Sequence, residues 1–172
     1  METLVLQTLI LGVFPGLVLL AATMDMFTMT IPNKLCLALI AAFFIAVPFT
    51  GLSLASVGWH TLTALIALGV TFVLFAGGVF GGGDAKFTTA IALWLGPTFA
   101  IDFAILAALL GGGLTVLILV LRATPAFTAA MNSPWAVRLM SPNVGIPYGI
   151  ALSAAAMFVF AQSPWMAIAI AP

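Results

Sequence analysis

Charge is nearly missing from this chain. Of 172 residues four are Lys or Arg and four are Asp or Glu, while 65% are hydrophobic. Soluble domains carry roughly 25% charged residues, so a mostly water-exposed surface is excluded. The mean hydropathy of +1.35 instead points to an integral membrane protein. There is no basic stripe of the kind nucleic acid requires, so no nucleic-acid partner is expected. One cysteine, Cys36, excludes an internal disulfide and a cysteine metal cluster, and one histidine, His60, excludes a multi-histidine site. No metal and no cofactor are therefore expected. The alternating ten-residue segments of a membrane barrel are also lacking. What remains is apolar runs near the roughly 20 residues a membrane helix needs.

Those runs predict an all-α polytopic fold with about six transmembrane helices in one bundle, forming a single domain over residues 1–172. The first run, about Leu4 to Thr23, lacks the basic start of a secretory signal, is read as a retained span and ends at Asp25. The second covers about Leu35 to Phe49, restarted after Pro32, and the third about Val57 to Ala76. A short fourth run, Phe87 to Leu95, meets Gly96-Pro97, and Asp102 opens a fifth that reaches about Leu121. Pro125, Asn132, Pro134 and Pro142 mark a loop with one interfacial helix around Trp135 to Met140. The last run starts at Tyr148 and ends near Ala161 or Ile170.

Six spans place Lys34, Lys86, Arg122 and Arg138 in loops on one side, as the positive-inside rule expects of the cytoplasmic face. Glu2, His60 and Asp102 then fall opposite, with Trp59, Trp94 and Trp165 in an outer aromatic belt. Asp25 and Asp84 are separated by two complete spans, so parity returns both to the cytoplasmic boundary.

Acids at such positions call for a reason, since each costs about 2.5 to 3.5 kcal/mol inside a span. Two carboxyls a few ångströms apart share a proton, and one can then activate water while the other protonates a developing oxyanion. On spacing alone other readings stand beside this one. Asp84 suits a helix N-cap, Asp25 can be simply solvated, and intramembrane acids also mark ion pathways.

The local motifs are more specific. Gly81-Gly82-Gly83-Asp84-Ala85-Lys86 fits the pattern Gly-x-Gly-Asp-x-Lys, and Asp25 is followed after five residues by Ile31-Pro32-Asn33. Together with Pro147-Tyr148-Gly149 before the last span, these motifs resemble the type IV prepilin peptidase family of Gly-x-Gly-Asp intramembrane aspartyl proteases. The length is similar to its short tight-adherence (TadV/CpaA-like) branch. Relatives are rich in arginine or lysine between the first aspartate and Ile-Pro-Asn, whereas Met26-Phe27-Thr28-Met29-Thr30 has no charge.

The resemblance implies an aspartyl endopeptidase of the bacterial cytoplasmic membrane, with Asp25 and Asp84 catalytic. Its substrates would be prepilins and pseudopilins of the Flp type, beside the lipid bilayer and the pilus assembly machinery. Gly81 and Gly83 would leave room for a substrate strand beside Asp84. Lys86 would anchor at the boundary or touch substrate. Pro32 and Asn33 would fix the turn that holds Asp25, with Asn33 capping the second span, and Tyr148 would border the site or join an inner aromatic belt. The competing class is a small proton- or cation-coupled transporter using the same two acids.

Overall fold

The computed structural model describes residues 8–124 and 133–170, so the expectations for Glu2, Pro125 and Asn132 lie outside the described residues. Among the described residues the chain is helical with no strand. A π-helical turn, Thr8–Val13, runs into α1, Phe14–Thr28. The wide turn falls just before Pro15, whose ring would otherwise press on the carbonyl of Leu11. Then follow α2, Asn33–Thr50; α3, Leu54–Ala76; α4, Gly82–Arg122; α5, Pro134–Met140; α6, Tyr148–Phe160; and α7, Pro164–Ile170.

Four stretches are long and apolar enough to cross a membrane: Ile10–Thr28, Asn33–Thr50, Leu54–Ala76 and Gly82–Arg122. The expected six separate spans differ from this in two places. The expected fourth and fifth runs are continuous in the 41-residue stretch α4, which is two helices joined across a kink at Gly96, and the last run stops at Phe160, giving a shorter apolar helix.

A straight helix of that length would reach about 60 Å, twice the bilayer's hydrocarbon core. Instead α4 is broken at Gly96, which has φ 66° and ψ −173°, a region that essentially only glycine enters. A Cβ at Gly96 would also lie 2.6 Å from the His60 ring. Pro97 has no N–H, so the Leu93 carbonyl loses its helical donor. His60 Nδ1 supplies one at 2.8 Å, and the Trp165 indole N–H donates to the Trp94 carbonyl. Two carbonyls beside the break are thereby bonded from α3 and α7.

This corrects the aromatic-belt expectation for two of its three tryptophans. Trp94 and Trp165 are buried with Phe14, Phe43 and Phe160, whereas Trp59 is 60% exposed. The Phe14 ring stands 4.2 Å from Phe160 and 5.0 Å from Trp94. His60 is not a simple interfacial residue but the partner of the broken helix.

Specific contacts give the relative directions of α1 and α6 and of α3 and α4. Asp25, Val18 and Phe14 of α1 meet Gly149, Ser153 and Phe160 of α6 in reverse order. Phe75, Thr71 and His60 of α3 meet Gly82, Ala85 and Leu93 of α4 likewise. Beyond the break, Gly111 packs on Tyr148 and Phe99 lies near Val159. The far end of α4 returns to the acids: Arg122 donates to the carbonyls of Leu139, Val144 and Gly145, just before α6. The two arms of α4 therefore run in opposite senses.

Candidate active site

Asp25 belongs to the last turn of α1 rather than to the segment after it. The helix continues to Thr28 and closes at Met29, a left-handed residue whose N–H donates to the Asp25 carbonyl at 2.8 Å. The Asp25 side chain is thus directed from a helix and is buried. Its Oδ2 accepts the backbone N–H of Gly149 at 2.7 Å. Gly149 is the second residue of α6, so the carboxylate occupies the N-terminus of that helix, where free amides and the helix dipole favour negative charge.

Asp84 is the third residue of α4 and turns back over the helix start. Its carboxyl lies over Gly81, the N-cap residue of that helix. A Cβ built on Gly81 would lie 2.6 Å from Asp84 Oδ2. The side-chain-free surface at Gly81 is filled in this state by Asp84 itself. Gly83 packs its backbone on Ile31, with Ile31 N, Cβ and O all 3.5 Å from where a Cβ would stand.

Ile31 joins the two acids. On one side it meets Gly83, and on the other its Cδ1 approaches Gly149, 2.9 Å from a Cβ position there. Gly149 in turn holds Asp25. This brings Asp25 within electrostatic reach of Asp84. A pair so placed can divide proton donation and acceptance between its members.

The neighbouring residues take definite places. Pro32 is the N-cap of α2, with φ −63° and ψ 138°. Asn33 is the first helical residue and not the cap; its Oδ1 accepts the exposed Lys86 ammonium at 3.0 Å. Lys86 thus ties α4 to the start of α2. The Tyr148 hydroxyl is 2.9 Å from Thr115 Oγ1, and its ring lies on Gly111, so it braces α6 against the second arm of α4. Gly149 and Ile31 were not among the residues expected to shape the site. Both lie inside motifs visible in the sequence, but nothing short of the fold reveals that a glycine amide 124 positions away reaches Asp25.

Among the described residues no three Asp, Glu, His or Cys side chains converge as a metal site. A cavity of about 240 Å³ lies at the opposite end, lined by His60, Pro97 and Trp165, and contains neither Asp25 nor Asp84.

The fold defines an integral membrane protein that is helical among the described residues, with two acids within electrostatic reach of each other. The chain belongs to the type IV leader peptidase family, whose model matches residues 12–116, more than half of the sequence. The match contains Asp25, Ile31-Pro32-Asn33 and Asp84 and ends before Tyr148. Searches of curated proteins and of solved structures return no match. The family identifies the chain as a peptidase, and the transporter reading finds no support in it.

Proposed function

We propose that the protein is a membrane-embedded aspartyl endopeptidase that removes leaders from Flp-type prepilins and pseudopilins at the cytoplasmic face of the bacterial inner membrane. What supports this reading is that Asp25 and Asp84 lie within electrostatic reach of each other, with Ile31 packed against Gly83 and Gly149 between them, in a chain of the leader peptidase family. One carboxylate takes a proton from water as its oxygen attacks the scissile carbonyl, and the other, protonated, gives its proton to the oxyanion. The proton is then passed to the amine as the C–N bond breaks, leaving a new carboxyl and a new N-terminus.

In this reading the chain crosses the bilayer six times, with α1, α2, α3, the two arms of α4 and α6 as the passes. The reversed contact orders and the return of Arg122 to the acid end support it. Lys34, Lys86, Arg122 and Arg138 then share the face of the acids, which supports a cytoplasmic site. The short tight-adherence branch remains part of the proposal on the strength of the motifs and the chain length.

The test is processing of a co-expressed, tagged Flp-type prepilin, read as a mobility shift. Asp25→Asn and Asp84→Asn are each expected to abolish cleavage, while Asp102→Asn, at an exposed position beyond the break, leaves it intact. Wild-type processing by either of the first two would refute the two-aspartate mechanism.

A further inference from the structure

Of the four cations in the chain, Lys34, Lys86 and Arg138 are exposed, whereas Arg122 is half-buried. A boundary anchor keeps its charged head in water, but Arg122 turns its head onto main-chain carbonyls. Nε and Nη2 donate to the Leu139 carbonyl at 2.9 and 2.7 Å, and Nη2 also reaches those of Val144 at 3.0 Å and Gly145 at 3.1 Å. Leu139 lies in the last turn of α5, where the helix dipole favours a cation. Val144 and Gly145 lie in the loop that leads into α6.

That loop delivers Gly149. Only Ile146, Pro147 and Tyr148 separate the carbonyls that Arg122 holds from the amide that Asp25 accepts, and each of the three is fixed. The Tyr148 amide donates to the Ile146 carbonyl at 2.9 Å, with Pro147 at φ −74° and ψ 83° between them, an inverse γ-turn. Pro147 is fully buried. Thr115 gives its hydroxyl proton to the Gly111 carbonyl at 2.7 Å, so in its 2.9 Å contact with Tyr148 the tyrosine hydroxyl donates. Gly111, Thr115 and Arg122 stand four and seven positions apart on the second arm of α4, which sets them along one face. That face therefore holds the loop both before and after its turn, and the Gly149 amide follows at 2.7 Å from Asp25 Oδ2.

We infer that Arg122 is a positioning residue: it clamps the loop ahead of α6 so that the Gly149 amide meets the Asp25 carboxylate. The inference rests on the peptidase reading of Asp25 and Asp84. In this role Arg122 orients an acid for the chemical step and does not bind the peptide, so its loss acts on kcat and leaves KM in place. Its partners are main-chain carbonyls, so the side chains at those positions can change without loosening the clamp. Because Arg122 works through the bond between Gly149 and Asp25, its loss matters only while that bond exists.

The test is a double-mutant cycle on the full-length protein in lipid nanodiscs, with a synthetic Flp-type prepilin as substrate. Arg122→Met keeps an unbranched stem and removes every donor, and it is expected to lower kcat about tenfold with KM unchanged. Gly149→Ala, which displaces the start of α6 directly, is expected to lose about 100-fold. Independent effects would multiply to about 1,000-fold in the double variant, whereas a shared bond leaves it at about 100-fold. A wild-type kcat in Arg122→Met, a raised KM, or the full product of the two losses in the double variant would overturn the inference. If thermal unfolding shows that Arg122→Met does not fold, the cycle is run with Arg122→Lys, which keeps the charge and gives up the Nε bond. Its loss is expected to be about threefold and to vanish in the Gly149→Ala background; a wild-type kcat, or the same loss in both backgrounds, counts against the clamp. Asp84→Asn measured alongside separates the two levels. If it is inactive while Arg122→Met is normal, only the role of Arg122 falls; if it is active, the two-aspartate mechanism falls and Arg122 with it.

Discussion

The bond between Gly149 and Asp25 makes one glycine far from both acid motifs decisive for cleavage. In Gly149→Ala the new Cβ would stand 2.8 Å from Asp25 Oδ2 and 2.9 Å from both Asp25 Cβ and Ile31 Cδ1. Carbon atoms in favourable contact sit about 3.5 to 4.0 Å apart, so something must move by roughly 0.6 to 1 Å. Swinging the carboxylate away relieves only one of the three contacts. Asp25 Cβ is fixed to the α1 backbone, and Ile31 is backed by Gly83, so the start of α6 is what yields. A shift of that size lengthens the 2.7 Å bond to about 3.5 Å, the edge of hydrogen-bond range.

A hydrogen bond to a charged group is worth about 1.5 to 3 kcal/mol, and a misplacement of about 1 Å at a catalytic group can cost on the order of 100-fold. Under the proposed mechanism, Gly149→Ala should therefore cleave the prepilin about 100-fold more slowly. Gly145→Ala is the matched control, because nothing lies within 4 Å of a Cβ there, and it should cleave at the wild-type rate. Initial rates of prepilin processing by purified protein decide the matter. Wild-type cleavage by Gly149→Ala, or an equal loss in both variants, would refute the reasoning.

The break in α4 is expected to govern stability rather than chemistry. Gly96→Ala forces alanine into φ 66° and ψ −173° and drives a methyl into the His60 ring, so thermal unfolding in detergent should show a loss of about 3 kcal/mol or more. Trp165→Phe keeps an aromatic ring but leaves the Trp94 carbonyl without its donor, for an expected loss of about 1 to 3 kcal/mol. Cleavage by Trp165→Phe at a temperature where it stays folded should match wild type, since the substitution lies at the end away from the acids.

Apolar runs made most of the helices legible. A short helix stands where one was expected around Trp135 to Met140, as α5, Pro134–Met140, and the last run expected from Tyr148 starts there as α6. Boundaries slipped where a local signal was weak: nothing in Met26-Phe27-Thr28 stops a helix, so α1 runs three residues past Asp25. Gly96-Pro97 announced a break, but a break alone does not tell a kink from a reversal. That difference depends on what His60 and Trp165 do from distant parts of the chain. Asn33 shows the same limit. Asparagine before a helix reads as a cap, yet Pro32 takes that position and Lys86 claims the amide.

The glycines of the acid motif were legible as an oddity and not as a mechanism. Backbone freedom is not what they provide, since Gly81 has φ −73°, open to any residue. Gly81 and Gly149 instead each lie under a carboxyl whose oxygen is 2.6 to 2.8 Å from the place a Cβ would fill, and Gly149 also donates its amide to that oxygen. A carboxyl can lie that close over this face of a residue only where the side chain is missing. Both acids therefore lean on a glycine, from unrelated parts of the chain. Asp84 leans on a glycine three residues before it, at the N-cap of its own helix. Asp25, at the end of a helix with no free amides to offer, has to borrow one from the start of α6. This explains why one acid carries its glycine beside it in the sequence while the other finds its own at Pro147-Tyr148-Gly149.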